Sequence, residues 1–221
     1  MQYDKTIELV HPLKEEHILH LPQYFELRKP IKIHKREEYG FEDDDIVVIT
    51  VGNRLQRDIS KSLAAQMSLL LASKKNLKWL IVGCAEIDYI SKHHENLVGK
   101  SIIFIRYETD LPGLYKVCDV YLNPERVGGG ATTAWAIQQG LAIVSPSTAV
   151  DGTTIIGKGN SQPTEADLTC FIERLINDDK LLRREKDKFL GIAAGWRFDN
   201  YISELIYGMN VLVENFTNGM V

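Results

Sequence analysis

Three consecutive glycines followed closely by two threonines form the stretch of this chain best suited to bind an anion. Within NPERVGGGATTAWAIQQGLAIVS, these residues are Gly128, Gly129, Gly130, Thr132 and Thr133. The glycines stand where a strand ends and a helix begins, so a ligand can touch backbone N–H groups there. A helix N-terminus adds free N–H donors and the positive end of the helix dipole, which together favour phosphate. The segment predicts a phosphate site, with a plain capped turn as the alternative.

Two arginines in the loop GNRLQR are candidates to bind the same phosphate from the other side. Arg54 is the first choice and Arg57 the fallback. A guanidinium can bind a pyrophosphate bidentately, whereas the alternative is a pair of solvated loop arginines. The fingerprints G-x-G-x-x-G and G-x-x-x-x-G-K-[ST] are absent from the chain. Their absence argues against the dehydrogenase and P-loop classes.

The elements that must position these residues follow from short apolar runs that alternate with amphipathic stretches. The apolar runs predict strands at 46–51, 77–83, 101–107, 119–124 and 141–145, with a possible sixth at 153–156. Alternating strands and helices with two-sided apolar strands predict an α/β fold, a Rossmann-like doubly wound parallel sheet in the order 3-2-1-4-5. Extra helices are predicted at 164–177, 179–192 and 198–215. Ligands of such sheets bind at the carboxyl ends of the strands, where both candidate loops fall.

The composition indicates one globular domain after an extended segment. The sequence predicts a charged lead-in or interdomain linker over residues 1–45, interrupted by prolines and with one possible strand, TIELV. It predicts the globular domain over residues 46–221. The net charge of −4 and the pI near 5.9 show no electrostatic footprint for nucleic acid. Three scattered cysteines and the lack of an apolar run of roughly 18 residues favour a cytoplasmic protein with free thiols.

Several motifs in order resemble a known family. VGNRL, WLIVG, IIFIRYETDLPGLYKVCDVYLNP and GGGATTAWAIQQGLAIV are similar to the C-terminal donor-binding domain of group 1 (family 4) GT-B glycosyltransferases, over roughly 46–215. The resemblance implies that residues 46–221 form a single nucleotide-sugar-binding domain of the GT-B C-terminal type, whose ligand is a nucleotide-diphosphate sugar. It also implies no metal and no further cofactor, because arginine or lysine and a helix dipole replace the cation.

The resemblance also assigns roles to residues. Arg54 faces the diphosphate, which the glycine turn and the two threonines cradle, and Ile105, Arg106 and Tyr107 lie against the base. Two glutamates usual in the family are replaced here by Val127 and Trp135. Glu125 is close enough to substitute for the first of them, so Glu125 and Arg54 are the catalytic candidates.

The resemblance further implies a partner domain. A complete enzyme of this type has an N-terminal acceptor-binding domain, in cis or here as a separate subunit, and the linker-like lead-in favours the first. We expect transfer of a hexosyl group to a glycan or lipid-linked acceptor in polysaccharide biosynthesis, at the inner face of a membrane or free in the cytoplasm, and no activity from this domain alone. The alternatives are a non-catalytic nucleotide-sugar-binding or partner subunit, or a fragment of a GT-B-fold UDP-N-acetylglucosamine epimerase.

Overall fold

A computed structural model describes residues 24–218, with side chains as far as residue 214. The strands are β1 (Ile46–Val51), β2 (Leu77–Val82), β3 (Ile102–Ile105), β4 (Val120–Leu122) and β5 (Ala142–Val144). The helices are α1 (Leu55–Asp58), α2 (Lys61–Ser73), α3 (Asp88–His93), α4 (Leu111–Tyr115), α5 (Gly130–Gln138), α6 (Val150–Ile156), α7 (Glu165–Asn177), α8 (Asp179–Ala194) and α9 (Phe198–Asn218). Short 3-10 turns lie at Arg36–Tyr39, Glu95–Leu97 and Lys158–Asn160.

The five strands form one parallel sheet in the order β3-β2-β1-β4-β5, as predicted. β1 pairs in register with β2 from Ile46 opposite Leu77 to Val51 opposite Val82, and on its other side Val48 lies opposite Val120 of β4. The chain therefore runs outward from β1 in one direction and then in the other. The loops after β1 and β4 lie side by side at this switch point, where a crevice opens.

β1, β2, β4 and β5 are buried on both faces because helices cover the sheet on each side, whereas the edge strand β3 is only partly buried. Val47, Val48 and Ile49 of β1 have no exposed surface, and the Thr50 hydroxyl accepts a hydrogen bond from Nε1 of Trp79 at 3.0 Å. The core is mostly aliphatic, but its largest fully buried side chains include four aromatic ones, at Trp79, Tyr115, Tyr121 and Phe189. The β-branched runs that predicted strands thus form the buried sheet whose carboxyl ends carry the candidate site.

The sixth strand predicted at 153–156 is wrong, since these residues belong to helix α6. The hydroxyl of Thr154 donates to the carbonyl of Val150 at 2.8 Å, and the Thr153 amide donates to the carbonyl of Ala149 at 2.8 Å. A Cβ on Gly152 would overlap Nδ2 of Asn123. Close packing at this glycine and local hydroxyl bonds therefore override the strand preference of Thr-Thr-Ile-Ile.

Residues 27–45 lie in the same compact unit as the sheet, which extends from Leu27 to Ala194. Phe41 is 3% exposed, and Arg36 donates to the Asp45 carbonyl at 2.7 Å and to Oδ2 of Asp119 at 2.8 Å. This segment is thus fastened to the amino-terminal end of β4. The division of the chain at residue 45 stays a prediction, and the possible strand TIELV lies outside the described residues.

A second unit comprises, within the described residues, 24–26 and 195–218. Aromatic rings hold it together: Tyr24 lies 5.5 Å from Phe198 and 5.9 Å from Tyr201, and Phe25 lies 5.1 Å from Trp196, between ring centroids. Its helix α9 matches the predicted terminal helix. Among the described residues, no helix is both long enough and apolar enough to cross a membrane.

Candidate functional site: a glycine-lined cleft at the switch point

A cleft of about 350 Å³ opens where β1, β2 and β4 end. Its lining comes from the loops that follow β1, β2, β3 and β4 and from the first turns of α4 and α5. These residues are Val51, Gly52, Asn53, Arg54, Asp58, Val82, Gly83, Arg106, Tyr107, Glu108, Leu111, Arg126, Gly129 and Thr132. The location is the one that the sheet topology predicts for a ligand.

The floor of the cleft is bare backbone. Gly83 has φ +116°, and a Cβ there would overlap the carbonyl oxygen of Gly52. The Gly52 amide donates to the Val82 carbonyl at 3.0 Å, so the ends of β1 and β2 remain bonded. A side chain at either glycine would fill the space or force the strand ends apart, and the pair therefore keeps the cleft open.

Arg126 is a buried cation in the lining of this cleft, and it was not among the predicted site residues. It is 8% exposed, its Nε donates to Oδ1 of Asn123 at 2.9 Å, and its Nη2 donates to the hydroxyl of Tyr121 at 3.1 Å. Nη1 lies 3.7 Å from Oδ2 of Asp58, which also lines the cleft. The guanidinium is thus fixed before any ligand arrives, with its other N–H groups left for Asp58 and a bound anion.

Two glycines distant in the chain make room for this arginine. A Cβ on Gly52 would overlap Nη1 of Arg126, and one on Gly129 would lie 2.6 Å from Nη2 and 2.7 Å from Nε. Gly129 also has φ +86°, a backbone conformation that L side chains rarely adopt. A charged residue next to a run of glycines was the only sequence signal of this arrangement, because the second glycine, Gly52, lies in the distant loop after β1.

The turn into α5 places the predicted threonines differently from each other. Gly129 is the N-cap, and the hydroxyls of Thr132 and Thr133 both donate to its carbonyl at 2.9 Å. Thr132 lines the cleft, and because its proton is committed to Gly129, the Tyr121 hydroxyl donates to it at 2.8 Å. Thr133 is fully buried. The donors that α5 offers to a ligand are therefore its first-turn backbone N–H groups.

Arg54 bridges the two loops that face each other across the crevice. Its Nη2 donates to the carbonyl of Val127 at 2.9 Å, and a Cβ on Gly128 would lie 3.6 Å from the same nitrogen. Arg54 is exposed, unlike Arg126. The cleft thus has one buried and one solvent-facing guanidinium, and their charges add near the N-terminus of α5.

The loop after β3 forms the opposite wall. Arg106 and Tyr107 line the cleft, and Tyr107 is 78% exposed. Glu108, which was not predicted, lies beside them. Burial by itself raises the pKa of Glu108, but the Asp110 N–H and the nearby Lys32 and His34 side chains outweigh it, so the pKa lies below its ordinary value.

Asp110 anchors this wall to the lead-in. Its Oδ2 accepts hydrogen bonds from the backbone N–H groups of Ile31 and Lys32, both at 2.9 Å, and its Oδ1 accepts from Gly113 at 3.1 Å as the N-cap of α4. Burial by itself raises the pKa of Asp110, but these three N–H groups and nearby His34 outweigh it, so the pKa lies below its ordinary value. Residues 31–32 are therefore a structural support of the cleft wall.

Six of the predicted site residues do not line the cleft: Arg57, Ile105, Glu125, Gly128, Gly130 and Thr133. Glu125 is exposed on the loop after β4, and Ile105 lies within β3. Of the two positions where the resemblance implies a glutamate, Val127 is 74% exposed, and the Trp135 ring lies 4.1 Å from the guanidinium carbon of Arg28. The individual roles assigned to these residues stay predictions.

A larger cleft of about 550 Å³ lies at the junction of α7 and α8. Its lining is Arg174, Asn177, Asp178, Lys180, Leu181 and Arg184. No strand end and no glycine turn contribute to it, and the Asp178 carboxylate is occupied by the backbone N–H groups of Lys180 and Leu181. It is a basic surface feature distinct from the switch-point cleft.

Comparison with solved structures identifies the fold. WaaG, a glycosyltransferase involved in lipopolysaccharide biosynthesis, matches with a TM-score of 0.68 at 18% identity, over 94% of this chain and 60% of that one. The fold is that of a GT-B glycosyltransferase domain. Anabaena HepE, solved with UDP and glucose, matches with a TM-score of 0.60 at 16% identity, over 81% of this chain and 51% of its own.

TarM matches over 87% of this chain and 38% of its own, with a TM-score of 0.64 at 15% identity. The chain thus spans 60% or less of the length of these GT-B structures. No family model matches the sequence, and no curated protein does. The likeness therefore concerns the fold, and the assignment to family 4 stays a prediction.

Proposed function

We propose that this chain is the donor-binding half of a group 1 (family 4) glycosyltransferase, with a nucleotide-diphosphate sugar in the switch-point cleft. The observation that carries the proposal is that Arg126, Arg54 and the N-terminus of α5 all adjoin the switch-point cleft, whose floor is glycine backbone. A diphosphate suits this space because it carries several negative charges and accepts hydrogen bonds from both guanidinium and backbone groups. The complex of HepE with UDP and glucose supports the same ligand class.

The same groups would assist departure of the diphosphate. Negative charge grows on the leaving phosphate oxygens as the bond to the sugar breaks, and fixed positive groups there lower the barrier. Arg126 is held by Asn123 and Tyr121 and needs no reorganisation. Because two guanidiniums and a helix dipole supply positive charge here, we propose that donor binding requires no divalent cation and no other cofactor.

The acceptor would be bound by a second domain. GT-B relatives such as WaaG are longer than this chain, so we propose an N-terminal acceptor-binding domain, in cis or as a separate subunit, that closes over the cleft. The acceptor is a glycan or lipid-linked sugar and the transferred group a hexose. Glu125, exposed on the loop next to Arg126, would then face the incoming domain. We expect the isolated chain to bind donor without turnover.

A specific observation favours a second candidate, a non-catalytic nucleotide-sugar-binding or partner subunit. Val127 and Trp135 replace both glutamates that the resemblance implies. Trp135 stacks against Arg28 and offers a ligand no carboxylate to accept hydrogen bonds. Sugar transfer after addition of the acceptor-binding half distinguishes the two candidates. Turnover that depends on Glu125 supports the enzyme, and binding without turnover supports the subunit.

Calorimetric titration with UDP, GDP and ADP, with and without magnesium, tests the proposal. We expect micromolar-to-millimolar binding of one nucleotide, unchanged by magnesium. Failure of all three to bind would overturn the diphosphate site. A requirement for magnesium would overturn the proposed role of the two arginines as substitutes for a cation.

We also propose that the complete enzyme works in the cytoplasm, at the inner face of a membrane. The basic cleft of Arg174, Lys180 and Arg184 is the surface of this domain suited to anionic headgroups. Sedimentation with vesicles of phosphatidylglycerol, compared with neutral phosphatidylcholine, measures it. Equal retention by both vesicles would contradict a role for these charges.

A further inference from the structure

The cleft wall on the β3 side carries a carboxylate, that of Glu108, which the proposed diphosphate site does not use. Its side chain is 12% exposed and lines the cleft. Oε1 accepts a hydrogen bond from the Asp110 N–H at 2.8 Å, whereas Oε2 has the ammonium of Lys32 at 3.7 Å, beyond hydrogen-bond distance. One oxygen is therefore committed to the loop, and the other can accept hydrogen bonds from a ligand.

The charge state and the rigidity of this group suit recognition. The backbone bond from Asp110 and the positive charge of Lys32 favour the ionised form, in which a carboxylate only accepts hydrogen bonds. The loop is fixed because Asp110 binds Ile31, Lys32 and Gly113 through their N–H groups. A rigid acceptor discriminates between ligands that have a donor at its position and ligands that lack one.

The sheet geometry places Glu108 on the β3 side of the cleft, away from the loops after β1 and β4. Arg54 and Arg126 mark the diphosphate end, at β1 and β4, and β3 lies two strands away from β1. Neighbouring strands are about 4.8 Å apart, so β3 is about 10 Å from β1. Residues 106–110 run from β3 back towards α4. A nucleoside that extends from the diphosphate towards β3 must pass along this segment, with the ribose nearest the phosphates.

We propose that Glu108 selects ribonucleotides over deoxyribonucleotides by accepting hydrogen bonds from the ribose hydroxyls through Oε2. Carboxylates play this part in other dinucleotide sites on parallel sheets. Lys32 is 58% exposed and long enough to move aside while it keeps the carboxylate ionised. The inference rests on the proposed nucleotide site and adds to it a specificity-determining residue on the nucleoside side.

The experiment titrates the full chain with UDP, GDP and ADP and with their 2′-deoxy forms. We expect the preferred ribonucleotide to bind about tenfold more tightly than its deoxy form, the effect of one charge-assisted hydrogen bond. Glu108→Gln keeps an oxygen for the Asp110 N–H and should bind both forms with equal, weakened affinity. Glu95→Gln, an exposed carboxylate after α3, is the matched control and should retain the preference.

The outcomes separate this inference from the function on which it rests. If no ribonucleotide binds the native chain, the diphosphate site is overturned and the role of Glu108 with it. If a ribonucleotide binds but its deoxy form binds equally well, the site stands and the ribose role of Glu108 is overturned. A ribose preference that survives Glu108→Gln also overturns the ribose role. If Glu108→Gln weakens the binding of GDP and dGDP equally and of no other nucleotide, the ribose role is overturned and Glu108 is assigned to the guanine edge.

Discussion

Replacement of Gly129 by alanine tests whether the buried arginine organises the cleft. Gly129 has φ +86°, which costs an alanine about 1–2 kcal/mol of folding free energy. The new Cβ would lie 2.6 Å from Nη2 and 2.7 Å from Nε of Arg126, so the guanidinium must move. The movement breaks its bonds to Asn123 and Tyr121, at about 1–1.5 kcal/mol each. We expect a loss of about 3–5 kcal/mol in total.

Gly128→Ala is the matched control for this experiment. Gly128 has φ +106°, and a Cβ there would have its nearest contact at 3.6 Å, to Nη2 of Arg54. The control variant therefore incurs the backbone strain without the collision, at about 1–2 kcal/mol. Urea denaturation of the two variants and the native chain gives the unfolding free energies. A Gly129→Ala variant no less stable than Gly128→Ala would refute the packing of Arg126 described above.

We also expect Gly129→Ala to lose affinity for the ligand. If Arg126 contacts the diphosphate, its displacement should weaken nucleotide-diphosphate binding by about 1.5–3 kcal/mol, or at least tenfold. Calorimetry under conditions in which Gly129→Ala remains folded measures this. Native affinity in a folded variant would mean that Arg126 serves only the turn after β4.

Three further predictions address other parts of the molecule. Arg54→Ala should weaken nucleotide-diphosphate binding by about 1.5–3 kcal/mol while it changes unfolding free energy by less than about 0.5 kcal/mol, because the side chain is exposed; calorimetry and denaturation measure the two, and unchanged affinity would exclude Arg54 from the site. Asp110 has a folded pKa below its ordinary value of 3.8, so its contribution to stability is complete above that value and declines as pH falls below it; Asp110→Asn should flatten this acid slope in a pH series of denaturation curves, and an unaltered slope would contradict the anchoring role. Cys170 is exposed whereas Cys118 is buried with a pKa raised well above its ordinary value, so native protein treated with a thiol reagent and analysed by peptide mass spectrometry should be labelled at Cys170 and spared at Cys118, and early labelling of Cys118 would contradict its burial.

The sequence alone determined the sheet and the place of the cleft. The runs IVVITV and LKWLIV are apolar at all but one position each, which indicates strands covered on both faces, and the crossover rule then leaves few strand orders. The glycine turn and Arg54 were found because they follow strands directly. Local composition was enough for these features, since the strand end and its loop are adjacent in the chain.

Tertiary structure decided what local patterns do not contain. Arg126 is a surface residue by type, and it is buried where Gly52 and Gly129, in the loops after β1 and β4, leave space for it. Glu108 acquires its place because Lys32 and Asp110 come together from distant segments. The Thr-Thr-Ile-Ile run became a helix because Gly152 packs against Asn123. Each of these arrangements includes a contact between residues far apart in sequence, which periodicity and propensity do not record.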